Sequence, residues 1–443
     1  MPHSNCDQSS FSGANIHDCR LPETTGRYLI GYKNIGTKNS INSLKKLAGL
    51  HHVICASDSE DAEIDLDDSS SADGFYLPIL GVAVVKADPS QLQPLMSRVA
   101  DMRSDIEFIE EERFVHHLSH RLTSEYLRGY RDAVCDLTGR LIQEFTDDQA
   151  QELASEVYRD TREFTWGLQA TQTHTSPFSG RGVKVAILDT GLDLNHKDFK
   201  GRSVIGKSFV PGQTVQDIQG HGTHCTGTAC GPRKSSLSQP GYGCASEAEI
   251  YVGKVLDNSG RGTDGSILKG LEWAITKECQ VISMSLGSNS DKPSVAYETV
   301  GKLALDRNCL VIAAAGNNAD RAIGDYGFVG IPANSLSIMA VGAIDNQLRV
   351  ANFSARSSTK TGVAGKVDIV APGVNVFSSA PGGRFSTLSG TSMATPHVAG
   401  IAALWIEATN KQGQELWTTL IQNSRQIPGD IRDIGCGLVQ VPQ

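Results

Sequence analysis

The chain alternates apolar runs of strand length with apolar residues at helical spacing. Val183-Lys184-Val185-Ala186-Ile187-Leu188 is one such run and stops at Asp189-Thr190-Gly191. Leu310-Val311-Ile312-Ala313-Ala314-Ala315 is another and stops at Gly316-Asn317. Runs of this kind read as strands buried on both faces, the pattern of a parallel sheet covered by helices. After Gly390-Thr391-Ser392 a stretch of small and apolar residues reads as a buried helix. Residues 164–443 are therefore expected to form an α/β domain around a mainly parallel sheet.

A smaller α+β unit is predicted over residues 26–118. Arg27–Tyr32 and Gly81–Lys86 have strand character, and Ile41, Leu44 and Leu47 lie at helical spacing. Pro89 opens a second helix with Leu92, Leu95 and Val99 on one face, and Ile106–Glu110 alternates as a closing strand. The acidic stretch from Asp58 to Asp73 reads as a solvated loop within it. Residues 1–25 are expected to be disordered. Over 119–163, Tyr126, Tyr130, Val134, Leu137, Leu141 and Phe145 trace one helical face. Thr146-Asp147-Asp148-Gln149 reads as a capping box for a second helix. This segment is expected to be a helical insert packed on the larger domain.

The candidate chemistry lies where these runs end. An acid at the end of a buried strand points into the crevice where open α/β sheets hold ligands, and Asp189 is so placed. Gly220-His221-Gly222-Thr223-His224-Cys225 leads from a glycine turn into small residues fit for a tightly packed helix. A helix starting at Ser392 would aim its N–H groups and dipole at whatever the serine attacks. Asp, then His, then Ser is the chain order of the subtilisin triad, and it differs from the orders in chymotrypsin and the α/β-hydrolases. On these motifs the sequence resembles the subtilisin-like serine peptidases, the subtilases, from about Phe164 to its C-terminus. Cys225, directly after the histidine motif, resembles the buried thiol of the proteinase K-like and thiol-dependent branches.

The resemblance implies a serine endopeptidase with Asp189, His221 and Ser392 as its triad and Asn317 as oxyanion donor. It also implies that Ser285, Leu286 and Gly287 border the first specificity pocket, with Ala315 and Gly316 beside it. Gly260 lies on the facing substrate strand. Pro332, Asn334 and Asp368 match positions of a calcium site, and Ile331-Pro332 matches a cis-proline. No cofactor is needed for the chemistry. The unit at 26–118 resembles the propeptide that serves many subtilases as an intramolecular inhibitor, so a self-processing zymogen is expected. The cut is expected soon after Glu112 or near Thr165. The competing reading is a catalytically silent binding protein that keeps its propeptide.

Other chemistries fit less well. Asp189-Thr190-Gly191 is also the aspartic protease signature, but no second copy occurs in the chain. His221, His224, Cys225 and Cys230 follow no common zinc spacing. A net charge of −9 offers no basic footprint for nucleic acid, and no apolar run is long enough to span a bilayer. The resemblance makes protein or peptide substrates the expected partners. Met1–Asp7 lacks the basic segment and apolar core of a secretory signal, which favours a cytoplasmic location unless a leader has been removed. The 10 cysteines leave Cys230–Cys244 pairing and reduced thiols both open.

Overall fold

A computed structural model describes residues 23–33, 36–56, 72–99, 101, 103–118, 157–236, 239–359 and 365–443. The predicted helices between 119 and 156 and most of the acidic loop lie outside the described residues.

Seven strands form the large sheet: β6 (Lys184–Asp189), β7 (Val204–Ser208), β8 (Glu249–Lys254), β10 (Val281–Met284), β12 (Leu310–Ala314), β13 (Met339–Ile344) and β14 (Ile369–Pro372). Their order is β14-β13-β12-β10-β6-β8-β7, and every neighbouring pair is parallel. The chain runs outward from β6 to β8 on one side and then crosses to β10 on the other. The end of β6 is therefore a topological switch point, the place where such sheets open a crevice beyond their strand ends. Helices cover the sheet because its strands are apolar on both faces, as the continuous runs predicted. The helix Thr391–Thr409 is almost wholly buried against β10, β12, β13 and β14. The helix His221–Cys230, buried along its whole length, packs on it. Gly400 permits that approach, since a Cβ there would lie 2.5 Å from the Ala229 carbonyl oxygen.

The smaller unit is a second sheet, ordered β5-β1-β4-β3-β2. It comprises β1 (Thr24–Tyr32), β2 (Val53–Cys55), β3 (Gly74–Leu77), β4 (Val82–Val85) and β5 (Ile106–His117). Only β2–β3 is parallel; the other pairs are antiparallel. The two faces bury different partners. Ile30, Tyr32, Ala83 and Val85 meet Leu44 of the helix Thr37–Ala48 and Leu92 and Leu95 of the helix Pro89–Val99. Leu29, Phe75, Val82 and Val84 on the opposite face join the core of the large domain. Burial on both faces explains why the Gly81–Lys86 run shows no polar alternation.

The structure departs from the sequence reading at the closing strand. β5 does not stop at Glu110 but continues to His117. Its far half pairs antiparallel with β9 (Arg261–Thr263) and β11 (Leu286–Gly287) of the large domain. Those partners lie far along the chain, so local pattern carried no sign of them.

Candidate active site

Asp189 ends β6, and its buried carboxylate faces His221 at the start of its helix. His221 Nδ1 lies 2.8 and 3.0 Å from the two carboxylate oxygens. Burial by itself disfavours the imidazolium, but the adjoining Asp189 carboxylate prevails and holds the imidazole well above its ordinary value. Cys225 Sγ is 3.8 Å from the same Nδ1. Burial raises that thiol above its ordinary value. Asp189, His221 and Cys225 are the one group of three metal-ligating side chains found clustered among the described residues. His224 faces away and bonds the Val376 carbonyl, and burial depresses it to about 3.

Ser392 occupies the first turn of its buried helix, as the motif predicted. Its hydroxyl donates to the Ser285 carbonyl at 2.9 Å, while His221 Nε2 has no hydrogen-bond partner. The serine–histidine bond expected from the motif is thus not made here, because the Ser285 carbonyl takes the proton's place in line. Asn317 follows β12. Its Oδ1 accepts both the N–H and the hydroxyl of Thr391, at 2.9 and 2.8 Å. With the carbonyl end so committed, the NH2 end can only face the crevice. Thr391 was missed in the sequence, although it stands beside the serine.

The NH2 of Asn317 donates to the carbonyl of Leu118, the residue after β5. Leu118 N–H donates to Ser285 at 3.2 Å, and His117 N–H donates to Gly260 at 3.2 Å. The end of β5 is therefore a strand laid between β9 and β11, with its last carbonyl at Asn317. Leu118 lies against Gly287, where a Cβ would come 3.2 Å from its Cδ1. Leu286 and Gly287 pair with His117 and His116. Ala315 and Gly316 continue β12, and their backbones are bonded to Val341 and Ala355.

The expected calcium positions are each tied into the surrounding backbone. The Ile331–Pro332 bond is cis, and the Pro332 carbonyl accepts the Ser335 N–H. Asn334 Nδ2 donates to Ser290, leaving a buried Oδ1 without a partner. Asp368 accepts the Ala340 N–H, and burial raises its carboxyl to about 7. Calcium takes six to eight oxygens. The carbonyls of Pro332 and Asn334 and the Asp368 carboxylate are oxygens of the kind it takes. Cys225, Cys230, Cys244, Cys279, Cys309 and Cys436 form no disulfide. No helix among the described residues is long and apolar enough to cross a membrane.

Comparison with known proteins agrees with this geometry. The profile of the subtilase family matches residues 180–437. The chain is 41% identical over 294 residues to M-protease of Shouchella clausii (strain KSM-K16), covering 64% of this chain and 70% of the relative. It is 42% identical over 283 residues to both subtilisin Savinase and subtilisin BL of Lederbergia lenta, covering 62% of this chain and 96% of each relative. Peptidases of this family need no cofactor for catalysis. A parallel sheet with an acid, a histidine, a serine and an amide at its crevice, matched over this length, makes the chain a member of the subtilase family of serine endopeptidases.

Proposed function

We propose that the chain is the zymogen of an endopeptidase that first cuts itself after Leu118, using Ser392, His221 and Asp189. The observation that carries this reading is the Leu118 carbonyl. It is held by the Asn317 amide, at the end of a strand bonded on both edges like an extended substrate. Rotation of the Ser392 hydroxyl from Ser285 toward His221 Nε2 would bring the nucleophile to its base. His221 would take the hydroxyl proton as the acyl bond forms at Leu118, then return it to the leaving amine. Asp189 would keep the proton on Nδ1 and stabilise the imidazolium. Asn317, with the Ser392 N–H, would hold the oxyanion.

The same contacts support inhibition after the cut. The unit at 26–118 would remain as a product-like plug, held by its strand and by charged contacts below it. Glu112 accepts the Gly265 N–H at 2.9 Å, at the start of the helix Asp264–Thr276. Glu110 accepts the Ser294 hydroxyl and the Val295 N–H at the start of the helix Val295–Asp306. Carboxylates are favoured at helix N-termini, where unpaired N–H groups and the dipole converge. Arg113 closes the set on the buried Asp264, at 2.9 and 3.0 Å. Of the two cut positions expected from sequence, a cut after Leu118 is the one soon after Glu112, whereas Thr165 is buried as the cap of the helix Trp166–Ala170.

A fluorophosphonate, which phosphonylates activated serines with loss of fluoride, tests the triad. Processed enzyme should gain one phosphonyl mass on the peptide containing Ser392 and lose turnover of a Leu-terminated peptide amide. An unlabelled Ser392 in processed, active enzyme would sink the assignment. A protein neither processed, labelled nor active would instead be the silent binder.

A further inference from the structure

Gln219 lies two residues before His221, on the rim of the crevice. Its Oε1 accepts the His221 backbone N–H at 2.7 Å. A backbone N–H can only donate, so the carbonyl end of the amide is committed and the NH2 end points into the groove. There it lies 3.0 Å from Nε2 of His117, the residue before Leu118. Since the amide nitrogen must donate, His117 Nε2 must accept. His117 is therefore held as a neutral ring with its proton on Nδ1. Its ring lies over that of His221, with centroids 4.7 Å apart and planes inclined by 35°. On the other side Gly260 makes the room, for a Cβ there would sit 2.2 Å from His117 Cδ2.

We propose that Gln219 sets substrate choice in this peptidase. It favours, at the residue before the cleaved one, an uncharged planar ring bearing a hydrogen-bond acceptor, histidine in its neutral form, and it disfavours cations there. This rests on reading the end of β5 as a substrate-like strand. Lysine and arginine offer only donors to a group that is itself a donor. A cation in this slot would also face His221, which must become an imidazolium during catalysis. An aromatic ring without an acceptor fills the slot but leaves the amide unpaired. The charges around the slot come from three sides. His221 and Asp189 stand on one, Asp217 accepts the Gln219 and Gly220 backbone N–H groups beneath, and the facing loop brings Asp257 and Arg261, which with Glu23 bear on the neighbouring His116.

The test uses processed enzyme and tetrapeptide amides of sequence Val-His-X-Leu, with X histidine, phenylalanine or lysine. Rates are compared as kcat/KM ratios at one pH, so that titration of His221 cancels. Histidine should exceed phenylalanine by about tenfold near pH 8, the worth of one hydrogen bond. That ratio should fall toward one as pH drops below the ordinary imidazole value of about 6.5. Lysine should be the poorest. Gln219→Ala should bring the histidine ratio to about one at every pH. Gln219→Glu should raise lysine by about tenfold or more relative to phenylalanine. An unchanged ratio and pH trend in Gln219→Ala would overturn the proposal while the endopeptidase reading stands. Failure of the processed chain to cleave any of the peptides would remove both.

Discussion

Asn317 depends on Thr391 for its aim, and this sets the outcome of substitutions at both. Asn317→Ala removes the donor at the developing oxyanion, and kcat should fall roughly 10²–10³-fold, a magnitude established in a subtilisin, with KM little changed. Thr391→Val removes one of the two bonds that orient the amide. It should lower kcat by a smaller factor, about tenfold. Steady-state kinetics on a Leu-terminated amide checks both, and equal losses in the two variants would contradict the positioning role. At His221, the raised pKa has a definite sign. The base works only when neutral, so self-cleavage should slow as pH falls through a value above the ordinary ~6.5. Asp189→Asn removes the charge that raises it. The acid limb should move down in pH while the maximal rate drops by about 10⁴.

Among the elements, β5 and the two helix starts beneath it decide how firmly the N-terminal unit stays. Glu112 is almost inaccessible and serves the Gly265 N–H, Thr25 and Arg27 together. Glu112→Ala should weaken the unit's affinity for the catalytic domain by roughly 2–3 kcal/mol, since it strands the buried Gly265 N–H across the interface. Glu110, nearer the surface, should cost about 1 kcal/mol. Titration of the separated unit into processed enzyme, read as inhibition, would measure both. Glu272 of the helix Asp264–Thr276 reaches the other way and accepts the Ile79 and Leu80 N–H groups at 3.2 Å. Burial outweighs these bonds and raises its carboxyl to about 7. A group raised in the complex favours the complex below its free value, and that gain is lost as pH rises through the raised one. Inhibition should therefore weaken as pH climbs from the ordinary carboxyl value toward about 7 and level off above it, and Glu272→Gln should flatten that trend. An unaltered trend in the variant would exclude Glu272 as its source. None of these carboxylates stood out in the sequence, where Glu110 only ended an alternating strand. Their roles arise from helix starts more than 150 residues later.

For the whole molecule, what could be read in advance followed a physical rule. Strands β6 and β12 declared themselves because burial on both faces demands unbroken apolar runs. Asp189, His221, Asn317 and Ser392 were visible because glycine turns and strand ends frame them. The N-terminal unit was legible as strands and helices, but its attachment was not. Val115, His116 and His117 have no periodicity that distinguishes a sheet edge from a loop. Their partners, Arg261–Thr263 and Leu286–Gly287, are short and glycine-containing. The subsite glutamine was hidden for the same reason, since its role appears only when His117 is laid beside it. The pairing of β5 with β9 and β11 of the large domain is the feature on which the proposed reading as enzyme and inhibitor in one polypeptide rests.

The most direct test is the intact mass of the freshly produced protein beside its Ser392→Ala variant. The parent should separate into two fragments whose junction follows Leu118, and the variant should remain a single chain. Cleavage of the variant at the same bond, or a parent that stays whole while it hydrolyses peptides, would contradict self-processing by Ser392 at the groove.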